Sequence, residues 1–573
     1  MSVLETSRVS VLDDTTPLYC IIQGSENVQS HTEFIVRVQR GELKENSWVI
    51  RKRYSDFATL VETLKISGMD LPLPPKKLIG NMEREFIAER QRGLQRLLET
   101  ILANPMLAAS EIVKKFLDAN SYTTNIPEAA LQNVSMFFRS EPHWEVVEPL
   151  KEMGWRLRKT YFLIKPKDQP KRRLLLSWTV HGPDRLLSEK DITGIFKLLP
   201  NLQHPSISST QHAMTNETGG LTIKQFYMNG TLRDHLCKTK PMKAHYLKKY
   251  CAPKAVSQLS VAQTRQFCRQ ILEMLKFLHE KGLACHHLHT GNLVIEDKVI
   301  KLLDIENYLL GVPPFYKPFY TQFRKINSAE SIDVYSFGHV LYEMVFGRPL
   351  NKPTIEELPP ELPAEIRSVL ESILTVEACK LGLPTLEGLL MHPLFVDEVV
   401  VTVGIKPQLK IPSKLKETLR QYKDNQQKKL KEEQKVISQN RRLSKAKAHH
   451  SSDEERRRRK LEARRKSAKK LEGVKEETPT PTTNGGNEES SAASEQSSAS
   501  PAPPGKYYTM IQMPAITHLV MLAWHHIFPN FHRTLQNFLC IRCKQGVNEK
   551  ALFFFPFHSE LASVQADTCF SIF

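Results

Sequence analysis

Four residues near the N-terminus combine two chemistries that suit a phosphorylated ring. Arg53 and Tyr54 follow a predicted strand, Lys76 comes directly after a proline-rich stretch, and Arg90 lies in the predicted helix that follows. Guanidinium groups bind phosphate or neighbouring hydroxyl groups through paired hydrogen bonds, and an aromatic face can stack on a ring. The residue types and their separation therefore indicate a phosphate-reading site, although a basic triplet by itself could simply hydrate a strand edge.

The segments that carry these residues, RKRYSDF, LPLPPKK and FIAERQRGLQRLL, together resemble a PX domain over about residues 15–125. The resemblance implies a role for each residue. Arg53 would bind the 3-phosphate of the ring, Tyr54 would be the stacking platform, Lys76 would bind the membrane-side 1-phosphate, and Arg90 would bind ring hydroxyl groups. The ligand that follows from this resemblance is phosphatidylinositol 3-phosphate on endosomal membranes, or a related phosphoinositide.

A second group of reactive side chains lies in CHHLHTGN, residues 285–292, and LDIE, residues 303–306. With LPNLQHPSI, LTIKQFYMNGTLRDHL, FCRQILEMLKFLHEKG, SIDVYSFGHVLYEMVFGRPL and GLPTLEGLLMHPLF, these segments resemble a protein kinase over about residues 145–400. The resemblance implies a bilobal kinase fold. Whether the domain transfers phosphate depends on the individual catalytic positions, because phosphoryl transfer relies on positioning and charge neutralisation.

The catalytic loop departs from that of active kinases. His287 stands at the position of the aspartate that accepts the hydroxyl proton, and His289 stands at the position of the lysine that steadies the γ-phosphate. Imidazole can accept a proton near neutral pH, but it supplies no negative charge. Asn292 and Asp304 keep the two metal-ligand positions, while Glu306 replaces the glycine of the D-F-G segment. No catalytic residue is expected, and weak binding of ATP and Mg²⁺ through Asn292 and Asp304 stays open.

The nucleotide-binding positions are altered as well. The stretch that should be a glycine-rich loop contains only Gly154, and residues 175–180, where an ATP-anchoring lysine is expected, contain none. Lys165 or Arg173 could reach the cleft by an unusual route. The activation segment lacks its A-P-E glutamate, and the position of its arginine partner is Leu383. Both partners are lost together, as expected when a lone buried charge is costly.

Three interpretations of the kinase-like domain remain. It could be a rigid scaffold without ligand chemistry, a pseudokinase that binds nucleotide weakly, or an active kinase that uses His287 or a displaced lysine. The simultaneous loss of several parts favours a pseudokinase, and Asp333 of the predicted αF helix would keep a structural role by capping the catalytic-loop backbone.

The elements that must position these residues follow from hydrophobic periodicity. Alternating apolar residues predict three half-buried strands up to residue 53, and helical spacing begins near residue 83. The next unit mixes strands with longer helices. The predicted fold class is α+β: a PX domain with a three-stranded sheet plus helices, then a bilobal kinase-like domain, then a disordered basic and Ser/Pro-rich tail. The predicted boundaries are 15–125, 145–400, 405–475, 476–505 and 506–573.

Composition places the positive charge outside the domains. The chain has 573 residues and a formal net charge of +18, and residues 406–475 contain 25 Lys and Arg against 9 Asp and Glu, so 25 − 9 = +16 lies in this segment. Nucleic-acid binding by a domain is therefore not expected. The scattered cysteines, the polar N-terminus and the lack of an apolar run of membrane-spanning length predict a cytoplasmic protein that meets membranes peripherally.

The tail has several open interpretations. Residues 454–466 favour a helix without an apolar face, which would remain in water. Such a segment could reinforce binding to acidic lipids, act as a nuclear-localisation signal, bind an acidic protein such as actin, or be a solvated linker. Residues 476–505 predict a Ser/Thr/Pro-rich linker, and residues 506–573 have no assignable fold and look like an unrelated ending produced by alternative splicing.

These features predict a phosphoinositide-dependent pseudokinase scaffold on endosomal or plasma membranes. It would bind membrane proteins such as receptors or ion pumps and modulate their trafficking or activity, and it would require no cofactor. The alternative is an atypical serine/threonine kinase that is recruited by lipid.

Overall fold

The first domain is built on a small antiparallel sheet. A computed structural model describes residues 11–29, 31–76, 83–398 and 404–472. The first three strands of the chain pair in the order β1-β2-β3, and the helices that follow cover one face of this sheet. The elements are β1 Leu18–Val28, β2 His31–Arg40, β3 Ser47–Arg53, α1 Tyr54–Leu64, α2 Arg84–Ala103, α3 Pro105–Ala109 and α4 Glu111–Leu117.

Alternation of apolar residues explains why these strands form. In β1, Leu18, Cys20 and Ile22 are buried while the residues between them face solvent, as period-two patterning requires. The predicted three-stranded sheet and the helix after the proline-rich loop are therefore confirmed. The buried side chains of α2 are Ile87, Arg90, Leu94, Leu97, Leu98 and Ile101, with Gly93 between them.

A five-stranded antiparallel sheet forms the first lobe of the second domain. Its strand order is β4-β5-β6-β8-β7, and helix α5 packs Ala130, Val134 and Phe137 into the same apolar cluster as the sheet. The elements are α5 Ile126–Ser140, β4 Trp144–Pro149, β5 Lys159–Pro166, β6 Leu174–Val180, α6 Glu189–Phe196, β7 Thr210–Thr215 and β8 Gly219–Gln225.

The second lobe is mainly helical and holds the largest hydrophobic core of the described residues. At its centre is the long α12, whose residues are buried on most sides, as expected for a helix inside a lobe. The elements are α7 Leu232–Leu236, α8 Tyr246–Tyr250, α9 Val261–Glu280, β9 Leu293–Glu296, β10 Val299–Leu302, α10 Glu306–Leu309, α11 Lys317–Tyr320, α12 Ala329–Phe346, α13 Ala364–Leu374, α14 Val376–Leu381, α15 Leu386–Leu390, α16 Pro393–Val396 and α17 Ser413–Glu472.

Helix α17 occupies most of the basic segment, residues 405–475, which was predicted to be helical or disordered and to stay in water. The segment is helical, but the first half of α17 packs on the second domain instead of remaining solvated. Leu419, Tyr422 and Leu430 are buried, and the Tyr422 hydroxyl donates a hydrogen bond to the Tyr308 carbonyl at 2.6 Å. The few apolar residues of this half are spaced three or eight apart, so they line one face of the helix despite its basic composition. Residues 455–462 are exposed, as predicted for the basic run.

A charged cluster connects this helix with both domains. The Lys317 ammonium lies 3.0 Å from Asp13, 3.0 Å from Asp184 and 3.4 Å from Glu433 of α17. Further along α17, Arg441 lies 3.0 Å from Glu42 of the first domain. The C-terminal helix therefore contacts both domains and is part of the folded unit.

Within the described ranges, a search for a helix that is long and apolar enough to cross a bilayer finds none. The predictions for residues 476–505 and 506–573 lie outside the described residues.

Candidate functional site

The predicted phosphate-reading residues come from three neighbouring elements of the first domain. Arg53 ends β3 and is the N-cap of α1, and Tyr54 is the first residue of α1. Arg90 lies in α2, and Lys76 is an exposed residue at the end of the proline-rich loop that precedes it. A strand end, a helix start and a loop thus supply the four side chains.

Arg90 is held between two aromatic rings. Its guanidinium carbon lies 4.4 Å from the ring centroid of Tyr54 and 4.3 Å from that of Phe86, which is within cation–π range. It donates a hydrogen bond to the Pro75 carbonyl at 3.3 Å, and the Tyr54 hydroxyl donates to the Pro74 carbonyl at 2.6 Å. The fold therefore brings Tyr54 and Arg90 into contact and fastens both to the proline-rich loop.

Arg53 presents a largely free guanidinium. Its side chain is 59% exposed, and Nε lies 3.3 Å from the Asp56 carboxylate. Among the described residues, Asp56 is the one side chain that forms a hydrogen bond or ion pair with this guanidinium. Arg51, two residues earlier, is paired with Glu26 at 2.5 Å. Arg53 is thus the more available of the two for a phosphate, and the lipid roles of the four residues stay predictions.

The catalytic-loop position of the second domain is blocked by an arginine. The Arg156 guanidinium donates to Nδ1 of His287 at 2.8 Å; His287 is buried, and Arg156 is partly buried. Burial lowers the pKa of His287 well below its ordinary value, and the charge of Arg156 lowers it further. The imidazole is therefore neutral, and Nδ1 is already engaged as an acceptor.

His289 is enclosed in a similar way. Its ring centroid lies 5.6 Å from that of Trp155 and 5.5 Å from that of Phe315. Trp155 follows Gly154, whose φ of +80° suits glycine and where a Cβ would come within 2.4 Å of the Tyr161 ring. The segment expected to cover phosphates with bare amides instead places bulky side chains against the catalytic loop.

A lysine that the sequence analysis missed faces this cleft from an unexpected strand. Lys159, the first residue of β5, has a fully buried side chain, and its ammonium lies 2.8 Å from Asp304 and 3.1 Å from Glu306. The sequence pattern predicts the ATP-anchoring lysine within residues 175–180, which contain none, and leaves Lys165 or Arg173 as substitutes. That suggestion is wrong for Lys165, which pairs with Glu145 at 3.3 Å. The sequence does contain a clue, since Lys159 stands in the middle of the altered glycine-rich segment, residues 154–165.

Lys224 of β8 is a second buried lysine at the same carboxylates. It lies 2.7 Å from Glu306 and 3.7 Å from Asp304, and also donates to the Leu303 carbonyl. Burial raises the pKa of Glu306, but Lys224 and Lys159 more than offset this and lower it to about 2. Two ammonium groups and two carboxylates thus form a cluster with balanced charge, which we call the four-residue ion cluster: Lys159, Lys224, Asp304 and Glu306.

The two predicted metal ligands are close together but engaged with protein groups. The Asn292 amide donates to the His287 carbonyl at 2.9 Å, and its oxygen accepts from the Asp304 backbone at 2.9 Å. The Asp304 carboxylate faces lysines. A search for three or more clustered His, Cys, Asp or Glu side chains that could hold a metal finds none among the described residues. In this arrangement the residues do not fit Mg²⁺, which prefers several oxygen ligands.

Asp333 of α12 lies where the sequence analysis expected it. Its carboxylate accepts hydrogen bonds from the backbone nitrogens of Cys285 at 3.0 Å and His286 at 2.5 Å, and Nε2 of His279 lies 2.9 Å away. His286 has a φ of +53°, a conformation uncommon outside glycine. Asp333 therefore holds the catalytic-loop backbone in shape independently of any chemistry.

The buried histidines predict a pH-dependent stability. The pKa values of His287 and His289 are both lowered well below the ordinary value by burial, so the unfolded chain takes up protons near pH 6.5 that the folded chain does not. Stability is therefore lost as the pH falls. On going from pH 7.5 to pH 6, we expect these two histidines to lower the free energy of unfolding by about 1.5 kcal/mol. Urea denaturation at the two pH values measures this change.

The control for this experiment is the exposed His235. The free energy of unfolding should differ between the two pH values by about 1.5 kcal/mol less in the variant that carries His287→Gln and His289→Gln than in the parent chain. In His235→Gln this difference should be the same as in the parent chain. An equal pH dependence in the double variant and the parent chain would contradict the assignment of neutral, buried imidazoles.

Comparisons with known proteins agree with the two-domain organisation. The family described as "PX domain" matches residues 42–120, and the family described as "Protein tyrosine and serine/threonine kinase" matches residues 184–306. The fold and its sites define a PX domain joined to a protein kinase-like domain, in which histidine stands at the catalytic aspartate position.

The relatives make the identification more specific. The mouse "PX domain-containing protein kinase-like protein" is 55% identical over 414 residues, covering 72% of this chain and 71% of the relative. The chain belongs to the family of PX domain-containing protein kinase-like proteins. "Probable inactive serine/threonine-protein kinase slob1" of Dictyostelium discoideum is 30% identical, covering 51% of this chain and 53% of the relative. "Slowpoke-binding protein" of Drosophila melanogaster is 30% identical, covering 38% and 44%.

Proposed function

We propose that this pseudokinase scaffold is recruited to endosomal or plasma membranes by phosphatidylinositol 3-phosphate, or a related phosphoinositide, and there binds membrane proteins. The observation that carries the lipid part is the exposed Arg53 guanidinium directly before Tyr54, whose ring contacts Arg90. A free guanidinium beside an aromatic platform suits a phosphorylated ring. Arg53 binds the 3-phosphate, Lys76 the membrane-side phosphate, and Arg90 the ring hydroxyls.

The basic end of α17 adds affinity for acidic lipids. Its residues 455–462 are exposed and include Arg456, Arg457, Arg458 and Arg459. Each basic residue near an anionic surface contributes on the order of 1 kcal/mol. Because this term does not distinguish between phosphoinositides, it strengthens attachment, while the PX domain selects the lipid.

The kinase-like domain acts as a protein-binding platform and requires no cofactor. The four-residue ion cluster balances its own charges, and Arg156 and Trp155 cover the catalytic loop, so its folded state needs no bound nucleotide. A relative named for binding Slowpoke supports a protein partner. We propose membrane proteins such as receptors or ion pumps as partners, with modulation of their trafficking or activity as the outcome.

Liposome binding tests the lipid part of this proposal. The full chain should bind vesicles containing phosphatidylinositol 3-phosphate, and Arg53→Ala should weaken binding about 10- to 100-fold, because a charge-assisted hydrogen-bond set of about 1.5–3 kcal/mol is lost. Binding is measured by vesicle sedimentation across single phosphoinositides at fixed salt.

The matched control is Arg51→Ala, which removes the same charge from the same strand but from an arginine already paired with Glu26. It should change binding less than about threefold. Equal losses in the two variants would show that only net charge matters, and binding that is indifferent to Arg53→Ala would move membrane attachment to α17. ATP turnover in the same samples that disappears in Asp304→Asn would instead identify an atypical lipid-recruited kinase.

A further inference from the structure

A cavity of about 280 Å³ lies between the PX domain and the kinase-like domain, close to the lower end of the range of roughly 300–1,000 Å³ typical of small-molecule sites. We call it the interdomain cavity. Its walls are mostly apolar and come from β1, α2, α3, the segment before β5, the segment after α10, and α11. Representative lining residues are Leu18, Leu102, Ala108, Leu157, Val312 and Phe319.

One lining residue is a buried cation without a partner. Lys114 of α4 is 3% exposed, and among the described residues no carboxylate, carbonyl or hydroxyl forms a hydrogen bond or ion pair with its ammonium. Burial lowers the pKa of Lys114 to about 8, so the group is still mostly charged at neutral pH. Burying an ammonium group without a partner costs desolvation free energy. A bound anion beside Lys114 would offset this cost.

Asp14, Asp13 and Asp118 lie near enough to attract the Lys114 ammonium, but none forms an ion pair with it. Asp13 is paired with Lys317 at 3.0 Å and Asp118 with Arg40 at 2.6 Å. Asp14 is already paired with Arg158 at 2.6 Å and also accepts a hydrogen bond from Tyr122 at 2.9 Å. Lys159 belongs to the balanced four-residue ion cluster. Arg156, which also lines the cavity, hydrogen-bonds a neutral imidazole and the Pro313 carbonyl at 3.3 Å rather than a carboxylate. The lining therefore carries two cations, Lys114 and Arg156, that form no ion pair with a carboxylate among the described residues.

From these features we propose that the interdomain cavity binds a small amphiphile with one anionic head and one apolar chain. The head pairs with the Lys114 ammonium, and the chain lies against the apolar walls. A carboxylate and a phosphate monoester would satisfy the same charges, so both head types belong to the proposed ligand class. This site is separate from Arg53 and Tyr54 and does not depend on the proposed phosphoinositide function.

The test uses the full chain and three ten-carbon probes below their micelle-forming concentrations: decanoate, decyl phosphate and the uncharged 1-decanol. We expect isothermal titration calorimetry to show at least tenfold tighter binding of one or both anions than of decanol. Tighter binding of decanoate would identify the carboxylate source, and tighter binding of decyl phosphate the phosphate source. Equal affinity for all three probes would overturn the proposal.

Variants locate the binding. Lys114→Met should remove the preference for anions, whereas Lys115→Met, which alters the neighbouring lysine that is paired with Glu111 on the surface, should keep it. Arg53→Ala should also keep it, which separates this cavity from the PX lipid site. An anion preference that survives Lys114→Met would overturn the proposal.

A cavity-filling variant covers the case in which Lys114→Met fails to fold. Ala108→Leu places a larger side chain in the cavity without changing any charge. It should lower the affinity for all three probes by the same factor of about ten. Unchanged binding in Ala108→Leu would place the probes elsewhere and contradict the proposal.

Discussion

Lys159→Met is expected to lower the free energy of unfolding by about 3–5 kcal/mol, because breaking a buried ion pair leaves its partner charge uncompensated. The Lys159 ammonium contacts Asp304 at 2.8 Å, Glu306 at 3.1 Å and the Asn307 side chain at 3.1 Å. With only Lys224 left, the buried Glu306 and the partly buried Asp304 share one cation. Urea denaturation followed by tryptophan fluorescence at pH 7.5 measures the loss.

Lys165→Met is the matched control, because it removes a lysine from the same strand. Lys165 is partly exposed and pairs with Glu145 near the sheet edge, so its loss should cost less than about 1 kcal/mol. Combining Lys159→Met with Glu306→Gln restores the balance of one ammonium and one carboxylate, and should recover part of the lost stability. Equal losses in Lys159→Met and Lys165→Met would refute the structural role of the cluster.

Removal of α17 should destabilise the kinase-like domain by roughly 5 kcal/mol. A chain that ends at residue 412 loses Leu419, Tyr422 and Leu430, which are 1%, 2% and 8% exposed, and each such buried side chain contributes roughly 1.5–3 kcal/mol. It also loses Gln434, whose amide donates to the carbonyls of Phe323 and Ile326, both at 2.9 Å. Denaturation midpoints and the soluble yield measure the effect.

A chain that ends at residue 447 is the control. It keeps the packed half of α17 and Arg441, which pairs with Glu42 at 3.0 Å, but it loses the exposed basic run. Its stability should match that of the full chain within about 1 kcal/mol, while its affinity for acidic vesicles should fall. A stable, soluble chain ending at residue 412 would show that α17 contributes little to the fold.

The sequence by itself determined the two domains and the type of each. Local patterns carry this information: period-two alternation places Leu18, Cys20 and Ile22 on the buried face of β1, and helical spacing marks α2. The histidine at position 287 is equally local, since a catalytic aspartate either stands at its motif position or does not. Asp333 could be assigned for the same reason, and its contacts with Cys285 and His286 match that assignment.

Only the tertiary structure decided which charges meet. Lys159 was missed because it lies on β5 rather than β6, and only strand pairing brings it to Asp304, 145 positions later in the chain. Helix α17 appeared fully polar by composition, yet a few well-spaced apolar residues suffice when a complementary surface exists. The contact of Arg156 with His287 and the environment of Lys114 likewise depend on residues that are far apart in the sequence, because electrostatic and packing energies follow separation in space and not along the chain.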